Sequence, residues 1–234
     1  MLLLCLDTST PTSVIALVDG DHVLAERRLP AHGKPGETLL PEMSALLDGA
    51  ERTLADVALF VVGVGPGSFT GVRVALATAK GFALGRALPT VGVSTLDAIA
   101  QTTGVSGVVV ALIDAHKDRV YAAVYRDGVT VAEPVDTSAT DLAAALFRDF
   151  AGDVAITFAG NGLTRYGDVF REAFGARATF CAEEQGIPSG LALAGLGRRK
   201  WEAFGPSDAL SLEPTYVRPS DATLPVLVKA PFLP

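Results

Sequence analysis

The sequence predicts an α/β protein in which one structural unit is used twice. Val-, Ile- and Leu-rich runs recur between turn residues, and stretches with apolar positions three and four apart alternate with them. In addition, "LLLCLDTSTPTSVIALVDGDHVLAE" lines up with "VVVALIDAHKDRVYAAVYRDGVTVAE", so that Asp7 matches Asp114, Gly20 matches Gly128 and Glu26 matches Glu133. An apolar run ending in Asp at the same place in both copies favours duplication over two generic hairpins.

In chain order, strands are expected at 2–7, 14–19 and 22–29, with "DGDH" as the hairpin turn between the last two. A helix over 38–50 follows, because Leu39, Leu40, Met43, Leu46, Leu47 and Ala50 share one face at helical spacing. Next come a buried strand near 57–64, the glycine-rich loop "GVGPGSFTG", a helix running to Gly85, a strand at 90–93, and a helix capped by Ser94 with Asp97 at its third position. The second half repeats the order: strands near 107–114, 118–126 and 129–135, a helix over 138–150, a strand at 153–159, then two helices. The polar, glycine-bearing "TTGVSG" at 102–107 marks the boundary, giving units 1–103 and 104–234. The second unit ends in a tail whose prolines at 219, 225, 231 and 234 bar a helix and suit an edge strand or extended arm.

The chain has 234 residues, 49% hydrophobic, enough for one large core or two modest ones. Its formal charge of −7 argues against tight unaided binding of nucleic acid, which needs clustered Lys and Arg. Apolar runs fall short of the roughly 18 residues that span a bilayer. The opening "MLLLCLD" lacks a basic leader, and Cys5 and Cys181 both sit in apolar settings, so a reduced, cytoplasmic protein with no membrane segment is expected.

A strand, hairpin, helix, strand, helix unit used twice resembles the actin-like ATPase superfamily, in which two ribonuclease-H-like domains face a cleft. The glycine loop, however, misses the known phosphate cradles: it has no G-K-[ST] ending, and Ser68 or Thr70 stands where a dinucleotide fingerprint needs its third glycine. Gly65, Pro66, Gly67, Ser68, Thr70 and Arg73 are left as a weak anion candidate, since amides at a helix N-terminus attract anions. Arg73 is expected to pair internally with Asp7, with a partner's carboxylate as the alternative. Kinases of the superfamily carry a glycine in the first hairpin where this chain has Ser9, and "DAHKDR" in the second hairpin also lacks one. Asp7, Thr8, Ser9 and Asp114 therefore mark a vestigial nucleotide cleft, and "FAGNGLTRY" is a strand-to-helix turn or a remnant of its adenosine side.

Along the helix after the loop, Gly71, Ala75, Ala79 and Ala83 form one row of small residues, with Ala77, Gly81 and Gly85 beside it. Such rows let a second backbone approach closely; one row is needed for the helix's own sheet, and the other is free for a second helix.

Together "LDTSTPTSVIAL", "GPGSFTGVRVALATAKGFALG", "VGVSTLDAIA", "IDAHKDRVYAAVY" and "LEPTYVRP" resemble the TsaB family, formerly called YeaZ, of bacterial tRNA threonylcarbamoyladenosine biosynthesis. The similarity runs along nearly the whole chain, with "GPGSFTG" as its specific element. It implies two duplicated actin-like domains and a non-catalytic subunit that pairs with a TsaD-type catalytic paralogue. A TsaE-type ATPase joins the assembly, tRNA is reached only through the complex, and the chain pairs with itself when alone. Family pairing implies a surface on the first two helices, here Leu39, Leu40, Met43, Leu46 and Leu47 with Gly71, Ala75, Thr78, Ala79 and Phe82.

No cofactor, metal or catalytic residue is expected. The catalytic paralogue resembles a metalloenzyme with His-x-x-x-His on a helix, whereas His22, His32 and His116 are scattered here and share no helical turn. A free-standing homodimer with a regulatory role is the main alternative; an ATP-dependent phosphotransferase and a metallopeptidase both lack their required residues. Arg198, Arg199 and Lys200 form the only dense basic run, expected as a solvated helix face within reach of partner-held tRNA.

Overall fold

Strand β1 (Leu2–Asp7) is buried along its whole length, which is why it reads as an unbroken apolar run rather than an alternation. In the computed structural model, which describes residues 1–30 and 35–217, β1 is the centre of a five-stranded sheet of order β3-β2-β1-β4-β5. Strands β2 (Thr12–Asp19) and β3 (His22–Pro30) run antiparallel on one side; β4 (Leu59–Gly63) and β5 (Thr90–Val93) run parallel on the other. Helices α1 (Pro35–Gly49), α2 (Phe69–Arg86) and α3 (Thr95–Thr102) supply the connections.

The second half repeats this order. Strands β6 (Val108–Asp114), β7 (Val120–Arg126) and β8 (Val129–Thr137), helix α4 (Ala139–Asp149), β9 (Ile156–Ala159), helix α5 (Leu163–Phe174) and β10 (Ala178–Phe180) give a sheet of order β8-β7-β6-β9-β10. Asp7 opposite Val14 and Asp114 opposite Val120 close the two central hairpins in equivalent registers. The halves are duplicated actin-like domains. Strand β10 is the one element of the repeat absent from the sequence reading: three residues are too few for an alternating pattern to register.

Burial proceeds in layers. One face of the first sheet takes α1 and α2 around Leu4, Leu6, Phe60 and Val62. The outer face of the second sheet takes α4 and α5 around Phe158, Phe170 and Phe174. Between the sheets, α3 turns Ala98 to an apolar cluster on the first and Leu96 and Ile99 to a separate cluster on the second, so one helix belongs to both.

Helix α6 (Gly190–Phe204) departs from the sequence expectation. A boundary at 103/104 would leave it in the second unit, yet its Leu193 and Ala194 pack against Leu3, Cys5, Val61 and Val91 of the first sheet. Two glycines permit the approach, since a methyl at Gly190 would collide with Ala16 and one at Gly197 with Val61. The Glu26 carboxylate accepts the Gly190 amide at 2.9 Å and holds the helix start. Beyond α6 the chain straps back over the first sheet, with the Ser207 amide donating to the Thr90 carbonyl and the Thr215 amide to that of Val64. The proline-bearing tail from 218 onward lies outside the described residues, as does His32.

Candidate functional site

The glycine loop exists to receive the end of β1. The Ser68 amide donates to the Ser9 carbonyl at 2.8 Å, and the Thr8 hydroxyl donates to the Gly71 carbonyl at 2.6 Å. A methyl at Gly67 would collide with the Ser9 carbonyl, and one at Gly71 with that of Thr8. Ser68 then caps α2 by accepting the Gly71 amide at 3.2 Å. The Ser68 and Gly71 amides that a phosphate would use are thus engaged by the chain's own oxygens.

Asp7 lies under this contact and is 1% exposed. One carboxylate oxygen accepts the Ser9 amide and the other the Thr95 hydroxyl, each at 2.7 Å. Burial pushes its pKa up, and these hydrogen bonds offset only part of that. Asp114 stands at the equivalent strand end but is half-buried, accepting the His116 amide at 2.9 Å. Its own amide donates to the Asn161 side chain.

Asp114 faces a cleft of about 540 Å³ between the halves, with Thr10, Pro11 and Thr12 on one side and Asn161, Thr164, Arg165, Cys181 and Glu183 on the other. A second hollow of about 470 Å³ continues past Ser9, Ser68, Phe69, Thr70 and His116. The glycines of "FAGNGLTRY" serve the turn here: Gly160 has φ +117°, and a methyl on it would collide with the Leu112 carbonyl. Cys181 is half-buried on the cleft wall with its thiol pushed up by burial, while Cys5 is fully buried. His22 and His116 are exposed, and among the described residues no group of three or more His, Cys, Asp or Glu side chains could hold a metal ion. No helix among them is long and apolar enough to cross a membrane.

The residues of the expected association surface divide between core and solvent. Leu39, Met43, Leu46 and Leu47 are buried against the first sheet, and so are Gly71, Ala75 and Ala79. Phe82 is half-buried, edge-on to Phe60 at 5.3 Å, and Thr78 turns its hydroxyl to the Val74 carbonyl. One row of small residues therefore serves the core. The other row, Ala77, Gly81 and Gly85, is exposed, as are Leu84 of α2 at 71% and Leu40 of α1 at 52%.

Arg73 does not reach Asp7, which is sealed beneath the loop. It is exposed, with its guanidinium carbon 3.6 Å from the centre of the Phe69 ring and two of its nitrogens donating to the Tyr216 hydroxyl at 3.2 Å. The basic run on α6 also divides: Arg198 pairs with Asp21, Lys200 donates to the Gly92 carbonyl, and Arg199 borders a hollow beside Tyr125 and Asp127. The Tyr125 hydroxyl donates to Asp97 at 2.7 Å, tying the halves together. Sequence reasoning missed this bond and the Arg73 cluster, because each joins residues far apart in the chain.

The model for the family described as TsaD, tRNA N6-adenosine threonylcarbamoyltransferase, matches residues 31–189. An uncharacterized protein of Mycobacterium leprae is 39% identical over 145 residues, which span 60% of this chain and 40% of that protein. The tRNA threonylcarbamoyladenosine biosynthesis protein TsaB of Bacillus subtilis is 28% identical over 95% of this chain and 96% of its own length. Among solved structures, YeaZ from Pseudomonas aeruginosa superposes with a TM-score of 0.74 at 27% identity, covering 92% of this chain and 99% of that one. A ROK hexokinase from Thermus thermophilus shares the fold alone, with a TM-score of 0.53 at 13% identity over 87% of this chain and 100% of its own.

Proposed function

We propose, since the chain belongs to the family described as TsaD by its match over residues 31–189 and its relatives along nearly the whole chain are TsaB (YeaZ) proteins, that it is a non-catalytic subunit of tRNA threonylcarbamoyladenosine biosynthesis. It pairs with a TsaD-type catalytic paralogue and activates transfer of the threonylcarbamoyl group to the adenosine beside the anticodon. A TsaE-type ATPase joins this assembly, and tRNA is met through the complex.

The observation that carries this reading is the uncovered face of the first two helices. Leu40 on α1 and Ala77, Gly81 and Leu84 on α2 put apolar and small side chains in water, while the sheet-facing residues of the same helices are already buried. Such a face favours a closely approaching helix. A surface that fits a paralogue often fits a second copy, which supports the reading that the chain alone pairs with itself. The non-catalytic role is supported by the first hairpin, where Asp7, Thr8 and Ser9 are buried and bonded into the glycine loop. Together with Asp114 they form the vestige of a nucleotide cleft.

The test is to mix the purified chain with the TsaD-type subunit of the same organism and weigh the product by native mass spectrometry. Threonylcarbamoyladenosine is then measured in tRNA from cells lacking this chain. A heteromeric complex and loss of the modified nucleoside are expected; a chain that stays apart from the TsaD-type subunit overturns the reading.

A further inference from the structure

Where α2 meets the strap that follows α6, a shallow notch of about 410 Å³ is lined by Arg73, Leu76, Lys80, Leu212, Glu213 and Tyr216. Three features set it apart from the rest of the surface. First, Arg73 is held in place by neutral groups: its guanidinium lies over Phe69 and donates to the Tyr216 hydroxyl, and no carboxylate pairs with it among the described residues. Second, Phe69 and Tyr216 are themselves about half exposed, so a stacked Arg and two aromatic rings stand together in water. Third, α2 carries Arg73, Lys80 and Arg86 and no acid, in a chain whose formal charge is −7.

An Arg held over one ring and bonded to the hydroxyl of another has already lost much of its rotamer freedom, so a bond to an incoming group is formed at reduced entropic cost. Its planar fork suits a carboxylate. The walls from Leu76 and Leu212 suit the methylenes of a Glu side chain, and Glu213 on the rim opposes a multiply charged phosphate.

We infer that Arg73, fixed by Phe69 and Tyr216, is the polar anchor of the partner surface and receives a carboxylate carried on a helix of the partner protein. This rests on the reading of the α1–α2 face given above and adds direction to it. Arg73, Ala77, Gly81 and Leu84 follow one another along one side of α2. The partner helix therefore lies with its acidic residue toward the strap and its apolar residues toward Leu84. The strap thereby becomes part of the contact, since the Thr215 amide, donating to the Val64 carbonyl, fixes the position of Tyr216.

The experiment measures the dissociation constant with the intact TsaD-type subunit for Arg73→Ala, Arg73→Glu, Tyr216→Phe and Gly81→Leu, after thermal melts establish that each is folded. Arg73→Ala is expected to weaken binding at least about tenfold and Arg73→Glu further, with a flatter dependence on salt. Tyr216→Phe gives a smaller loss. One Glu→Lys or Asp→Lys substitution on the partner restores Arg73→Glu. Gly81→Leu separates the two ideas: loss of binding with Gly81→Leu but none with Arg73→Ala overturns the anchor and leaves the α1–α2 face. Normal binding with Gly81→Leu overturns the face itself. Competition by inorganic phosphate or ADP, or an Arg73→Glu chain that loses only self-association, overturns the assignment to a partner carboxylate.

Discussion

Asp7 and Asp114 end the central strands of the two sheets, and each accepts the amide of the residue two positions on, Ser9 at 2.7 Å and His116 at 2.9 Å. The shared turn is a trace of duplication at the level of single hydrogen bonds. The two carboxylates have since diverged in setting. Asp7 is covered by Thr95 and the glycine loop, while Asp114 borders the cleft. Equivalent positions have thus been put to different uses, closure of the core in the first half and a polar wall in the second.

The burial of Asp7 makes a prediction about pH. Its folded pKa is raised, chiefly by desolvation. The unfolded chain therefore releases the proton first as pH rises. Stability associated with this group is fully present below the ordinary carboxylate range and is lost as pH climbs through the raised folded value, with a limiting slope of about 1.4 kcal/mol per pH unit. Asp7→Asn removes that slope. Urea midpoints measured from pH 4 to 8 are expected to fall with pH for the natural chain relative to Asp7→Asn; parallel curves would contradict the burial argument.

Most of the fold was legible because its elements are announced by local pattern. The central runs ending in Asp7 and Asp114, the apolar face of α1 and the Ser94 cap of α3 are all readable over a few residues. What escaped was packing between distant segments. Nothing near Gly190 or Gly197 says that α6 must cross to the first sheet; the reason lies in Ala16 and Val61, which those glycines accommodate. The division of α2 between core and solvent was half legible on the same grounds. Two rows of small residues are visible in α2, but which row meets the sheet depends on the loop geometry that sets the helix's rotation. Arg73 was expected to pair with Asp7, with a partner's carboxylate as the alternative; Asp7 is buried beneath the loop while Arg73 lies at the surface on Phe69 and Tyr216, a difference that only the folded loop reveals.

The bond between Tyr125 and Asp97 joins β7 of the second half to the first turn of α3. Tyr125→Phe leaves the carboxylate without this donor, and a hydrogen bond to a charged group is worth about 1.5–3 kcal/mol. A lower denaturation midpoint is expected with partner binding unchanged at temperatures where the variant is folded. A change in binding without a change in stability would place Tyr125 at a contact rather than in the joint.

Helix α6 depends on close approach at its first residue. Gly190→Ala pushes a methyl into Ala16 and disturbs the amide that Glu26 accepts, so a loss of about 1–3 kcal/mol is expected from overpacking. Glu26→Ala adds no bulk but removes this acceptor together with the surface pair to Arg28, and costs about 1–2 kcal/mol, chiefly as for loss of a helix cap. Hydrogen exchange should then rise first at the amides of α6; uniform exchange across both sheets would argue against a local anchor.

The two rows of α2 give opposite predictions from chemically similar changes. Ala75 is fully buried against the first sheet, so Ala75→Leu overfills a packed site and is expected to cost about 1–3 kcal/mol. Gly81 is exposed, and a side chain there meets nothing within 4 Å. Gly81→Ala should therefore stabilise the free chain by up to about 1 kcal/mol, because glycine is a poor helix former. Gly81→Leu should also fold, yet hold a second helix away from Ala77 and Gly85 and so remove association with the TsaD-type subunit. A higher melting temperature coupled to a lost complex is a combination that a purely structural role for the outer row does not produce. Melting curves and native mass spectra on the same samples decide it. Were Gly81→Leu to melt higher and still assemble normally, the exposed row would reflect only the absence of a neighbour, and the partner would have to bind away from α2.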